Sequence, residues 1–87
     1  MEYTTVGVGS TIHSDEYQKL LAMIREARTR SGVTQTELAN RLNRRQSWVS
    51  KVEIGERRID IEELRQLCIA LGVDFLKLVR QWLAAVG

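Results

Sequence analysis

The chain has 87 residues, 44% of them apolar, with no proline, one cysteine, one histidine and a formal net charge of +2. That length supports one hydrophobic core with little margin for a second. Lone Cys68 and lone His13 exclude an internal disulfide, a zinc cluster or a Cys/His catalytic pair, and no apolar run is long enough to span a bilayer.

The modest net charge hides a polarity. Between Arg25 and Arg58 there are nine basic and four acidic residues, a net +5, whereas the rest of the chain carries four basic and seven acidic, a net −3. Such a split suits a phosphate-facing side on an otherwise acidic domain, although a mixed solvated surface could produce it too. With no signal-peptide pattern, the chain is expected in the cytoplasm.

Residues 1–13 contain Gly7 and Gly9 among loosely alternating β-branched residues, and no helical face can be drawn through them. The expectation is a flexible arm, with a short strand pairing with its copy in a dimer as the alternative. The absence of Lys and Arg there disfavours an arm that touches DNA. From residue 14 to residue 87 the pattern is helical throughout. Ser14 stands as an N-cap, followed by Asp15 and Glu16, which suit the positive end of a helix dipole. Tyr17, Leu20, Leu21, Ile24 and Ala27 form one stripe, Arg25, Arg28 and Arg30 crowd the far end, and Gly32 closes the helix.

Thr34 with Glu37 reads as a capping box opening a short second helix, in which Leu38, Ala39 and Leu42 share a face. Asn43-Arg44-Arg45 interrupts the apolar pattern, and Asn tolerates the left-handed conformation that a helix end requires. The pattern resumes from Gln46 to Ile54. At roughly 100° per residue, Val49, Val52 and Glu53 gather on one side of this third helix and Ser47, Ser50 and Lys51 on the other. Gln46 projects from its N-terminal end. Two short helices joined by a tight turn are the layout of a helix-turn-helix, whose second helix enters the major groove of DNA. Gln, Ser and Lys are side chains that can reach base edges. The alternative is an ordinary amphipathic helix with a solvated face. Trp48 falls between the two faces, where its ring can pack beside Val52 while the indole N–H reaches a phosphate, or can meet a thymine methyl. The wheel also predicts a partly buried ion pair between Arg28, beside the first helix's stripe, and Glu53, the one acid on the inward side of the third; two independent surface charges are the alternative.

Gly55 ends the third helix, and Arg57 and Arg58 in the following loop would track the sugar-phosphate backbone. Asp60 with Glu63 suggests a second capping box. Ile61, Leu64, Leu67, Cys68 and Leu71 supply the inward face of a fourth helix, closed by Gly72. Asp74 caps a fifth. There Phe75, Leu76, Leu78, Val79, Trp82, Leu83 and Val86 span a stripe of roughly 160° at the same angular step. One helix on a small core needs little more than ~100°. The surplus predicts a second contact surface, most simply another copy of the chain, with Phe75, Val79, Trp82, Leu83 and Val86 at the dimer interface; fuller wrapping within one chain is the alternative.

The run TQTELANRL…QSWVSKVEIGERRIDIEEL…ALGVD resembles the Cro/repressor (XRE-type) helix-turn-helix family of bacterial and phage regulators, over about Tyr17 to Phe75. The resemblance implies an all-α, five-helix, repressor-like domain whose second and third helices read operator DNA, as a homodimer. It implies that Gln35 holds a phosphate, that Gln46, Ser47 and Lys51 meet bases, and that Arg28 with Glu53 matches a recurrent ion pair. Family members often carry an aromatic residue where Trp48 stands. The turn departs from the pattern: Asn43-Arg44-Arg45 replaces the more usual Gly, variable residue and Ser, Thr or Pro. That removes the usual N-cap of the third helix and adds two arginines for the backbone.

The expected function is a sequence-specific, DNA-binding transcriptional regulator acting as a homodimer on a near-palindromic operator. Gln46, Ser47, Ser50 and Lys51 are the candidates for bases; Gln35, Arg44, Arg45, Trp48 and Arg57 are those for the backbone. A phage repressor, a restriction-modification controller and an antitoxin fit equally well. The alternative from another class is a protein-interaction module, or an antitoxin-type partner binder, on the same fold. No enzyme activity, metal or cofactor is expected, since no nucleophile–base pair or phosphate-cradling loop is present.

Overall fold

The computed structural model describes residues 14–87, and the readings made for residues 1–13 lie outside this range. Five helices follow in order: α1 (Asp15–Arg30), α2 (Gln35–Arg41), α3 (Gln46–Glu53), α4 (Ile61–Leu71) and α5 (Phe75–Val86), with no strand among the described residues. Each start has a local cause except one. Ser14 Oγ accepts the Tyr17 N–H, and Asp74 Oδ1 accepts that of Lys77. Thr34 with Glu37 and Asp60 with Glu63 form complete capping boxes. The carboxyl of Glu37 is held below its ordinary pKa, chiefly by the hydrogen bond from the Thr34 backbone N–H. α3 is the exception: Arg45 occupies its N-cap and makes no side-chain cap.

The ends of α1 to α4 share one solution. In each, a backbone N–H beyond the helix returns to the carbonyl five residues back: Val33 to Arg28, Arg44 to Ala39, Glu56 to Lys51 and Val73 to Cys68, at 2.9–3.1 Å. The residue before each of these donors has positive φ. After α2 it is Asn43, at φ 56°, so asparagine fills the place where glycine is more usual. After α3 it is Gly55, at φ 85°, a backbone conformation that favours glycine, with little spare room for a side chain. A Cβ at this position would lie 3.2 Å from Gln18 Nε2 and 3.4 Å from Leu21 Cδ1. Gly55→Ala should therefore lower stability by about 1–2 kcal/mol, from the left-handed backbone alone. Thermal unfolding followed by circular dichroism checks this, and an unchanged midpoint would mean that the loop relaxes without strain.

The core lies where α1 meets α3, α4 and α5, with α2 packed on α3 and α4. Leu21, Ile24, Leu38, Val49, Val52, Leu67 and Cys68 are its largest fully buried members. Burial pushes the Cys68 thiol above its ordinary pKa, with Asp74 adding to the shift, so it stays a protonated apolar filler. One sequence reading needs correction. Ile61, assigned to the inward face of α4, is 74% exposed. It shares its angle with buried Cys68 but stands in the first turn, and a wheel does not say how far along the axis the neighbouring helices reach.

α5 packs along α1 and α4. Its wide stripe divides lengthwise: Leu78 is buried, and Phe75, Val79 and Trp82 pack partly buried against the core. Trp82 also donates its indole N–H to the Glu16 carbonyl at 2.7 Å, and Lys19 Nζ reaches the Ala85 carbonyl at 3.2 Å. Trp82 thus contacts its own chain while remaining half-buried. The surplus width is carried by Leu76 and Leu83, seven residues apart, 61% and 54% exposed. No helix among the described residues is long and apolar enough to cross a membrane.

Candidate nucleic-acid interface

α3 is held by its inward residues. Val49 and Val52 are each 1% exposed, and between their face and α1 sits the carboxylate of Glu53. Arg28 grips it in a fork, Nε to Oε2 at 2.6 Å and Nη2 to Oε1 at 3.0 Å. The remaining nitrogen, Nη1, donates to the Val33 carbonyl at 2.9 Å. Arg25 adds a bond from Nη1 to the Glu53 carbonyl at 3.1 Å. A bidentate guanidinium–carboxylate pair fixes orientation as well as distance. It therefore sets the rotation of α3 against α1.

The same carboxylate reaches outward through α2. Gln35 Nε2 donates to Glu53 Oε1 at 2.9 Å, and Gln46 Nε2 donates to Gln35 Oε1 at 2.6 Å. A hydrogen-bond chain thus runs from half-buried Arg28 through buried Glu53 and half-buried Gln35 to exposed Gln46. The sequence pattern places Gln35 at the start of α2, but its link to both neighbours exists only in the folded chain. On the outer side of α3, Ser47 and Lys51 are exposed and Ser50 is half-buried. Arg45 is exposed too, at a helix N-terminus whose first amides lack a side-chain acceptor.

Trp48 sits on the flank, and its surroundings are not legible in the sequence. The Arg44 guanidinium lies 4.1 Å from the ring centroid and that of Arg57 5.9 Å. The indole N–H is covered and has no hydrogen-bond partner. In this state it does not face an incoming phosphate. Arg57 Nη2 donates to Glu63 Oε2 at 2.7 Å, and Arg44 Nη2 lies 3.4 Å from the same oxygen. Around them is a shallow pocket of about 400 Å³ lined by Arg44, Arg45, Ser47, Trp48, Lys51 and Arg57. Four of its six lining residues are cationic, a lining suited to a phosphodiester and hostile to another cation. Arg58 is spent elsewhere, with its guanidinium 4.7 Å from the Tyr17 ring.

The sequence-predicted residues therefore divide by position. Gln46, Ser47, Ser50 and Lys51 lie along the outward side of α3, with Arg44, Arg45, Trp48 and Arg57 beside them. Gln35 lies behind Gln46, and the Arg28–Glu53 pair lies beneath. Sequence reading found Glu63 only as a cap, because its two arginines come from separate loops. Among the described residues, no group of three or more His, Cys, Asp or Glu side chains could hold a metal ion.

A family model described as a helix-turn-helix domain matches residues 20–82. The chain is similar to an XRE-family like protein from Pseudomonas syringae pv. tomato str. DC3000, at 43% identity and a TM-score of 0.83, over 93% of this chain and 99% of that one. It is also similar to the clp gene regulator ClgR from C. glutamicum, at 27% identity and a TM-score of 0.71, over 80% of this chain and 91% of that one. No curated protein matches the chain. With most of its length matched by the family model, a capped α2, a tight turn through Asn43 and an α3 whose polar side faces solvent, the chain belongs to the XRE-type helix-turn-helix family.

Proposed function

We propose that this DNA-binding transcriptional regulator recognises a near-palindromic operator as a homodimer, with α3 of each copy in successive major grooves about 34 Å apart. The observation that carries this reading is the solvent-facing polar side of α3, bordered by Arg44, Arg45, Lys51 and Arg57. Gln46 keeps its carbonyl oxygen and one amide hydrogen for a base, the pair of groups that matches adenine. Ser47, Ser50 and Lys51 complete the reading face. Gln35 retains one amide hydrogen for a phosphate. Arg44, Arg45 and Arg57 supply cations along the backbone, and the uncapped N-terminus of α3 adds its free amides. Trp48 serves as the platform under Arg44 and Arg57 at the edge of the backbone-facing surface. Leu76 and Leu83 support the second copy.

Selection of bound duplexes from a random pool, followed by electrophoretic shift at several salt concentrations, tests the reading. A retained, competitor-resistant complex is expected; failure to enrich any sequence would contradict it. Lys51→Ala should relax preference at one base position by about 1–3 kcal/mol. Arg44→Ala should instead weaken all sequences and lower the salt slope by about one. Equal losses of preference and slope in both variants would contradict this division of roles. A protein-interaction module is the second reading, favoured by the exposed leucines of α5 alone.

A further inference from the structure

The two capping boxes of this chain differ in a way that capping does not require. Glu37, in the first, is exposed and belongs to no ion pair among those of the described residues. Glu63, in the second, gives Oε1 to the Asp60 backbone N–H at 2.9 Å, which completes the cap. Its other oxygen receives Arg57 at 2.7 Å and lies 3.4 Å from Arg44. Those arginines come from the loop after α3 and the turn before it, so one carboxylate ties together the two ends of the reading helix. Both guanidinium groups also lie over the Trp48 ring. The carboxylate side chain is 11% exposed, against 34% for Arg44 and 43% for Arg57. The anion is underneath and the cations are outside.

We infer that Glu63 is a positioning residue for DNA binding: it holds Arg44 and Arg57 against Trp48, so that two cations flanking α3 meet the duplex already ordered. The inference rests on the DNA-binding reading above and adds to it Glu63, so far described only as the cap of α4 and the partner of two arginines. The physical argument concerns entropy. An arginine free in solvent loses rotamer freedom when it docks on a phosphate. Here much of that loss has already occurred on folding, through the Glu63 carboxylate and the indole face. One guanidinium edge bound to Glu63 leaves other N–H groups on the same planar fork for a phosphate oxygen.

This makes a prediction of sign. By charge counting alone, removing a carboxylate beside DNA-facing arginines strengthens binding to every duplex. Positioning says the opposite for the operator. Glu63→Gln keeps an oxygen for the Asp60 N–H and puts an amide NH2, which cannot accept from a guanidinium, in place of the charged oxygen that orders the arginines. It should weaken binding to a pool-selected operator by about ten-fold, the scale of reordering two rotamer-rich side chains. Random duplex should bind as well as before or better.

In an Arg44→Gln/Arg57→Gln background, the same Glu63→Gln change should alter operator affinity by less than about two-fold, since nothing remains to be positioned. Without DNA, in a Trp82→Phe background, Glu63→Gln should make Trp48 emission more accessible to acrylamide. A role in capping alone would leave that signal unmoved, with any effect confined to the thermal midpoint. Tighter operator binding by Glu63→Gln would overturn the inference and make Glu63 a brake on the arginines. An unchanged affinity would overturn it as well. If the unaltered protein retains no duplex, the DNA-binding reading itself falls, and the fluorescence result still decides whether Glu63 orders the two arginines.

Discussion

Glu53→Ala is expected to cost about 3–5 kcal/mol of folding stability, because it leaves a mostly buried guanidinium without its counter-charge. Arg28 is 13% exposed and Glu53 only 2%. The loss is compounded by Gln35, whose amide donates to the same carboxylate. For a domain of this size each kcal/mol moves the thermal midpoint by about 4–8 °C, so the variant should be substantially unfolded near 37 °C. Replacing both partners, as Arg28→Met/Glu53→Leu, should recover much of the loss, since apolar residues of similar volume often replace a buried pair without penalty. Urea denaturation of the single and double variants measures both effects. A single-variant loss below about 1 kcal/mol would show that the pair behaves as an exposed one. The double variant carries a functional expectation too. Its α3 regains packing but Gln35 loses its acceptor, so the preference set by Gln46 should fade while the protein stays folded.

The second large effect is expected at α5. Leu76→Glu/Leu83→Glu places two charges on its exposed flank and should leave the monomer's fold nearly untouched, because neither leucine is buried. If that flank joins two copies, the variant becomes monomeric by sedimentation. Its affinity for a two-half-site operator should then fall by about 10²–10⁴-fold, the gain that linking two binding modules supplies. Affinity for an isolated half-site should stay the same. A variant that remains dimeric with full operator affinity would move the interface elsewhere. Trp82→Phe should have little influence on association, because its indole N–H is directed to the Glu16 carbonyl of its own chain.

Much of the architecture is readable from local chemistry. Ser14, Thr34, Asp60 and Asp74 each accept a backbone N–H from the first turn of a helix, and such contacts involve residues three apart in sequence. The left-handed positions at Gly32, Asn43, Gly55 and Gly72 are likewise local, fixed by which side chains tolerate positive φ. The solvent-facing side of α3 follows from a single turn of the wheel, since Val49 and Val52 must go inward. The interface network is different in kind. Gln35 bridges Glu53 and Gln46 across 18 and 11 residues, and Arg44 meets Glu63 across 19. No periodicity encodes which of several nearby polar groups a long side chain will choose.

What the sequence determined by itself, then, is five helices, their starts and stops apart from the uncapped start of α3, and the side of α3 left to solvent, because each is settled within about one helical turn of chain. Tertiary structure decided the rest. It turned Trp82 toward α1 and left Leu76 and Leu83 outside, exposed Ile61 at a helix start, covered the Trp48 N–H, and gathered two arginines from separate loops onto Glu63. A wheel gives only the angle of a side chain about one axis. Burial and pairing depend on where the neighbouring helices end, and that is fixed when all five pack at once.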